Sequence, residues 1–199
     1  QSRLTAPELH LVHRLDRETS GLCVLARGAT VRDQMRRQFA DGAVGKTYLA
    51  VVRGVAEADF TVERPIGHCR RSSIALRRSA DADASDPKPA RTAFELLRRG
   101  SRNSLLRCTP TTGRTHQIRV HLEAAGLPVL GDKLYGRPDA DYLAFVARVK
   151  GGAPAWQTDD GGPGRQLLHA AELTFAHPGD GRRLTFAAPM PSEFEPWLA

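Results

Sequence analysis

Asp16 stands in the stretch LVHRLDRETSGLCVLAR, residues 11–27, between Arg14 and Arg17 and just ahead of an apolar run. A carboxylate held rigid and kept ionised by positive neighbours can attack an electrophilic carbon or take a proton from one. A lone Asp before a turn is also an ordinary structural residue. A second set of capable side chains lies in TPTTGRTHQIRVHLEAAGLPVLGDKLYG, residues 109–136. On a helix starting near Thr115, His116 and Arg119 share a face. Arg119 can turn inward to a carboxylate elsewhere in the fold, or pair on the surface with Glu123 one turn on. His116 and His121 lack the one-turn spacing of a helical metal site, so no metal is expected. Tyr48, in KTYLAVVR, alternates with apolar neighbours and reads on local grounds as a core or edge tyrosine.

The elements that must hold these residues follow from patterning. Leu22 to Ala26 reads as a buried strand. Thr30-Val31-Arg32-Asp33 reads as a capping box opening a helix, with Val31, Met35 and Phe39 as its apolar stripe and Gly42 as its stop. Strands are expected at 46–53, 92–98, 104–109, 171–176 and 182–187, with irregular β structure at 60–78. A helix is expected at about 115–125, closed by Gly126 with Pro128 beyond, and a short one at the end of the chain. Residues 79–90 and 150–165 have loop composition, and the latter is expected to be mobile. Strands and helices mix without a βα repeat. The expected class is α+β, with a mixed, largely antiparallel central sheet flanked by helices and loops. No linker or internal repeat divides the 199 residues, so one domain over 1–199 is expected.

Composition narrows the function. Hydrophobic residues are 41% and charged residues 26%, as in globular proteins. No apolar run reaches the roughly 18 residues of a membrane span, and no signal peptide opens the chain. Cys23, Cys69 and Cys108 form no CxxC pair, which argues against a zinc site or a disulfide framework and fits a reducing, cytoplasmic setting. The chain opens on Gln1, which reads as a piece of a longer protein. Lys and Arg total 29 against 22 Asp and Glu, a formal charge of +7. A surface of that sign favours polyanions such as RNA or DNA.

Several segments together resemble the RluA-like pseudouridine synthases. HRLDRETSGLCVLA resembles the family motif that carries the catalytic aspartate. GKTYLAVVRG is similar to the strand that follows it and carries a tyrosine, and TGRTHQIRVHLEAAGLPVLGDKLYG is similar to the third motif almost throughout. RTAFELL at 91–97 and LLHAAELTFAHP at 167–178 also fit. The resemblance runs from Leu11 to about Pro189. It departs from the family upstream, where a strand with a Lys-Pro motif, and in many members an RNA-binding S4 domain, would stand.

The resemblance implies a pseudouridine synthase fold and isomerisation of uridine to pseudouridine in RNA, without cofactor or metal. Ribosomal RNA is expected before transfer RNA, with the protein acting as a monomer. Asp16 matches the catalytic aspartate, acting on the ribose as nucleophile or base. Arg119 matches the arginine that pairs with it. Tyr48 matches the tyrosine that stacks on the base and assists removal of the C5 proton. Arg14 matches the arginine that fills the space left by the flipped base, and Leu168 the opposite wall of the base site. Arg17, Arg114, His116 and Gln117 lie in the same motifs and are expected to face RNA. Target choice is expected in loops 64–91 and 137–166. Two other classes remain: an RNA-binding module without chemistry, and a carboxylate hydrolase of nucleosides or sugars. Asp16, Tyr48 and Arg119 together speak against the first. The second wants a partner carboxylate as general acid, and the motifs offer only Glu18, in the Asp16 turn, and Asp132, in a Gly-Asp loop whose simplest role is structural.

Overall fold

The computed structural model describes residues 8–155 and 161–199. Part of the loop expected at 150–165 therefore lies outside the described residues. In chain order the elements are β1 (Leu9–Leu11), β2 (Ser20–Gly21), β3 (Leu25–Arg27), α1 (Ala29–Ala40), β4 (Gly45–Arg53), β5 (Phe60–Glu63), β6 (Ile66–His68), β7 (Arg78–Ser79), β8 (Ser85–Lys88), β9 (Arg91–Arg99), β10 (Asn103–Pro110), α2 (Gln117–Ala124), α3 (Asp139–Lys150), β11 (Leu168–Ala176) and β12 (Arg183–Ala187), closed by a 3-10 turn at Ser192–Trp197.

The main sheet has the order β12-β11-β4-β10-β9-β5, with every neighbour antiparallel, and β2 adds to β11 in parallel. β4 runs down its middle. Its alternate residues Ala50 and Val52 pack with Ile118 and Leu122 of α2, while Val51 faces Leu167, Phe194 and Leu198 on the other side. A strand covered on both faces must be apolar at consecutive positions, which is why Leu49 to Val52 is unbroken. A smaller sheet, β7-β6-β8, and the pair β1-β3 lie apart from this path. The expected α+β class is what forms.

Four local expectations are corrected. Leu22 to Ala26 is not one strand. The Leu22 amide donates to Ala170 O and the Val24 amide to His13 Nε2, so pairing with β1 starts only at Leu25. The capping box does not form: α1 opens at Ala29 behind Gly28, whose φ is 87°, and no side chain caps it. Residues 79–90 are not all loop, because Ser85–Lys88 pairs with β6; its polar composition and Pro87 suit an exposed edge strand. Residues 139–150, assigned to loop 137–166, form α3. The half-buried Tyr142, Phe145, Val146 and Val149 have helical spacing, and Asp139 and Asp141 in the first turn with Arg148 and Lys150 in the last suit a helix dipole. No described helix is long and apolar enough to cross a membrane.

Candidate active site

Asp16 lies in a loop that is pinned at both ends. Upstream, Val12 is buried and the His13 ring stacks on Phe39 with centroids 4.5 Å apart. Downstream, the Thr19 amide closes a turn onto Asp16 O at 2.9 Å, with Arg17 and Glu18 at its centre. Ser20 and Gly21 are strand β2, paired with His169 and Ala170. Gly21 is required there: its φ is 107°, and a Cβ would meet Ala170 O at 2.2 Å.

Residues 165–169 clamp this turn. Arg165 donates to Glu18 O and to Ser20 Oγ, Gln166 Nε2 donates to Thr19 Oγ1 at 2.7 Å, and Ser20 Oγ lies 2.8 Å from His169 Nδ1. Burial raises the pKa of Glu18, opposed by the nearby Lys133 charge. None of Arg165, Gln166 or His169 was singled out from sequence. Their partners are some 145 residues away, and polar residues beside an apolar strand give no local sign of such contacts.

Arg119 joins the two motifs. Its Nη1 donates to Asp16 Oδ2 at 2.9 Å, across 103 residues of chain. Its Nε and Nη2 grip Asp132 in a two-point contact at 2.6 and 2.9 Å. Asp132 is 1% exposed, and its Oδ1 also accepts the amides of Leu134 and Tyr135. Burial opposes the charge on Arg119, but Asp132 and then Asp16 more than offset it, and its pKa is raised. The guanidinium also lies over the Tyr135 ring, 4.8 Å from its centroid. The surface pair with Glu123 does not form; Glu123 accepts from Arg77 Nη2 and the Gly136 amide. The structural reading of Asp132 holds, but its importance was missed: it is the two-point partner of Arg119, and Asp16 takes one bond. The Gly131-Asp132 pair carried a faint signal. Gly131 has φ 79° and abuts Arg165 O, as a tight approach requires.

These groups line a cleft of about 350 Å³. Asp16, Tyr48, Arg119, Arg14, Arg114, His116, Gln117 and Leu168 all contribute to its wall; Arg17 is exposed and does not. Tyr48 comes from β4, where it is opposite Cys108 of β10 and Ala170 of β11. Burial, and then the Asp16 charge, push its phenol up to about 12. Leu168 opens β11 and is buried. Arg14 is exposed at the rim, and Arg114 Nε is tied to Pro89 O at 3.0 Å. Gln117, expected to face RNA, instead uses its amide inside the fold. Its Oε1 accepts from Thr112 Oγ1 and the Arg114 amide, and its Nε2 donates to Arg91 O and Thr92 Oγ1. It shapes the loop before α2 and has no donor left over. Lys46 was not singled out; it lines the cleft from β4, and burial lowers its pKa. Among the described residues, no group of three or more His, Cys, Asp or Glu side chains gathers as metal ligands.

A carboxylate bonded to a buried guanidinium, beside a tyrosine ring and an apolar wall, can take a planar base and act on the sugar attached to it. Comparison with known proteins gives the same direction. A family model described as RNA pseudouridylate synthase matches residues 1–124. The chain is 37% identical over 189 residues to ribosomal large subunit pseudouridine synthase D of Nitrosomonas europaea, covering 94% of this chain and 49% of that protein. It is 36% identical over 185 residues to ribosomal large subunit pseudouridine synthase C of Salmonella typhimurium, covering 92% of this chain and 53% of that one. The chain thus spans about half the length of the curated relatives it matches. Among solved structures it is similar to human RNA pseudouridylate synthase domain containing 1, with a TM-score of 0.75 and 31% identity over 96% of this chain and 72% of that one.

Proposed function

Because the chain belongs to the RNA pseudouridylate synthase family, we propose that it isomerises uridine to pseudouridine within RNA, and that ribosomal RNA is the substrate class. The observation that carries this reading is the Asp16–Arg119 bond, made by two distant motifs in one cleft that Tyr48 also lines.

The reaction rearranges one nucleotide. The N1–C1′ bond breaks with its electron pair leaving on uracil, the ring turns, C5 bonds to C1′, C5 loses its proton and N1 gains one. It is redox-neutral and balances without a cofactor. Asp16 acts on the ribose, as nucleophile at C1′ or as base. Arg119 holds the carboxylate by a charge-assisted hydrogen bond and aims it. Tyr48 and Leu168 form walls for a base turned out of its helix, and Arg14 at the rim fills the space the base vacates. Tyr48 stays a phenol at neutral pH, so removal of the C5 proton through it requires a group to take the phenolic proton. Asp16 lines the same cleft. Arg17 and Arg114 serve the phosphates, in a monomer acting in the cytoplasm.

Tritium release from RNA labelled at uridine C5 tests the reaction. Asp16→Asn keeps the shape and removes the reactive group; release should vanish while RNA affinity survives. Appreciable release by Asp16→Asn would sink the mechanism. Ribosomal and transfer RNA are compared as substrates in the same assay. Affinity should fall steeply with salt, because the contacts are arginine to phosphate; a flat log–log plot would argue against an RNA ligand.

A further inference from the structure

His116 immediately precedes α2 with φ 58°, in the left-handed region, and its imidazole lines the cleft. Nδ1 lies 2.8 Å from Tyr135 Oη. The other contacts of Tyr135 decide which atom holds the proton between them. Tyr135 is 1% exposed, and its Oη already accepts the Arg78 amide at 3.1 Å. A phenol has one proton to donate. Among the described residues, His116 Nδ1 is the only acceptor within reach of it. Were Nδ1 protonated, Oη would receive two N–H groups and its own proton would be buried without a partner, a loss of about 1–3 kcal/mol. Nδ1 therefore accepts, and the imidazole carries its proton on Nε2. A second proton is disfavoured as well. Burial and then the Arg119 charge lower the pKa to about 4, against the opposing charges of Asp16 and Asp132 and with Arg14 adding to the lowering. Nε2 has no protein partner among the described residues, and it is not one of the enclosed, unpartnered atoms.

We propose that His116 presents a fixed, neutral Nε2–H donor to a carbonyl oxygen of the target uracil while the base is detached from its ribose. The proposal rests on the isomerase reading and adds an atom and a protonation state to it. When N1–C1′ breaks, the electron pair spreads over O2 and O4, which become stronger acceptors than in the bound nucleoside. A donor already in place gains strength at that moment, which lowers the barrier rather than merely tightening binding. Neutrality matters for the same reason. An imidazolium would hand its proton to the uracil anion and quench the electron-rich C5 that must re-bond to C1′. A neutral imidazole is too weak an acid to do so.

Nitrogen-15 NMR of the full chain labelled at histidine reads the tautomer directly, with His116→Gln assigning the signal. The expected result is the Nε2–H form, persisting as pH falls below the ordinary histidine value of 6.5. An Nδ1–H form, or titration near that ordinary value, would overturn the proposal. Single-turnover isomerisation is the second readout. His116→Ala should slow the step roughly a hundredfold with little change in RNA affinity. His116→Gln, which keeps an N–H donor, should recover part of the loss. Tyr135→Phe should also slow the step, because it keeps the imidazole but removes the proton that fixes it. A wild-type rate in His116→Ala, or a loss confined to affinity, overturns the role. If the wild-type chain isomerises no RNA, the isomerase reading fails and the carbonyl contact falls with it; an active wild type with an indifferent His116→Ala sinks the donor alone.

Discussion

Helices α2 and α3 differ in what they bury. α2 is eight residues long and buries six, from Gln117 to Leu122; α3 is twelve residues long and buries none. Three of the six in α2 are polar, and each is answered from elsewhere in the fold. Gln117 meets the 91–92 and 112–114 backbones and hydroxyls, Arg119 meets Asp16 and Asp132, and His121 meets Thr92 Oγ1 and Arg64 O. At the start of α3, Asp139 accepts from Ser72 Oγ, the Ser73 amide and Arg77 Nη1, and further along Tyr142 packs partly against a buried cluster. Buried polar groups fix a geometry only if every partner is present. The contrast therefore separates a part of the molecule that the fold holds rigid from one that it holds by fewer buried groups.

The largest effect should come from Asp132→Ala, which strikes the α2 side at its most buried contact. Arg119 would lose its two-point partner and keep a single bond to Asp16, and the Leu134 and Tyr135 amides would lose their acceptor. Removing one member of a buried pair destabilises by roughly 3–5 kcal/mol. Urea unfolding should show a loss of that order, with isomerisation abolished in the same variant. Arg119→Lys keeps the charge but not the planar fork, so it should retain only part of both. A loss below about 1 kcal/mol for Asp132→Ala would mean the network is not the rigid half of the comparison.

The same contrast explains what was legible in the sequence. Apolar patterning gave β4, β9 and β10: β4 is apolar at consecutive positions because both its faces are covered, and β9 and β10 show themselves by the apolar residues they turn inward. Asp16, Tyr48 and Arg119 were legible through motif resemblance, and their meeting in one cleft was an expectation no local pattern could supply. Asp132, Arg165 and His169 were not legible as partners, since their function lies in contacts made across the fold. Gln117 was not legible as a structural residue for the same reason: its four partners are brought to it by the fold. α3 has helical spacing at Tyr142, Phe145, Val146 and Val149, but a helix without a fully buried face has little apolar contrast to display.

A smaller effect is expected with acid. His116 is lowered to about 4 in the fold from an ordinary 6.5, so the unfolded chain binds the extra proton between those values. Stability should therefore be full above about 6.5 and fall as pH drops towards 4, by on the order of 3 kcal/mol from this residue. His13, His121 and His169 are also lowered, burial being the main cause, and act in the same direction. His116→Gln should thus flatten the acid limb of a stability-versus-pH curve in part. An unchanged limb would show that the imidazole beside Arg119 is not held neutral by the fold.

The smallest effect should come from the α3 side. Leu143 is 50% exposed, between the half-buried Tyr142 and the exposed Ala144. Replacing it with Ser removes apolar surface that already meets solvent and leaves the Asp139 contacts with Ser72, Ser73 and Arg77 untouched. An exposed substitution away from such contacts changes stability by no more than about 0.5 kcal/mol. The Tm of Leu143→Ser should thus match wild type, and so should single-turnover isomerisation of a short RNA that fills only the cleft. A loss of about 2 kcal/mol would place α3 with the rigid half and erase the contrast. Unchanged stability with an altered set of modified uridines, read by pseudouridine mapping on ribosomal RNA, would sharpen it. The cleft built by α2 would then set the chemistry, and the face carried by α3 would take part in choosing where the chemistry is done.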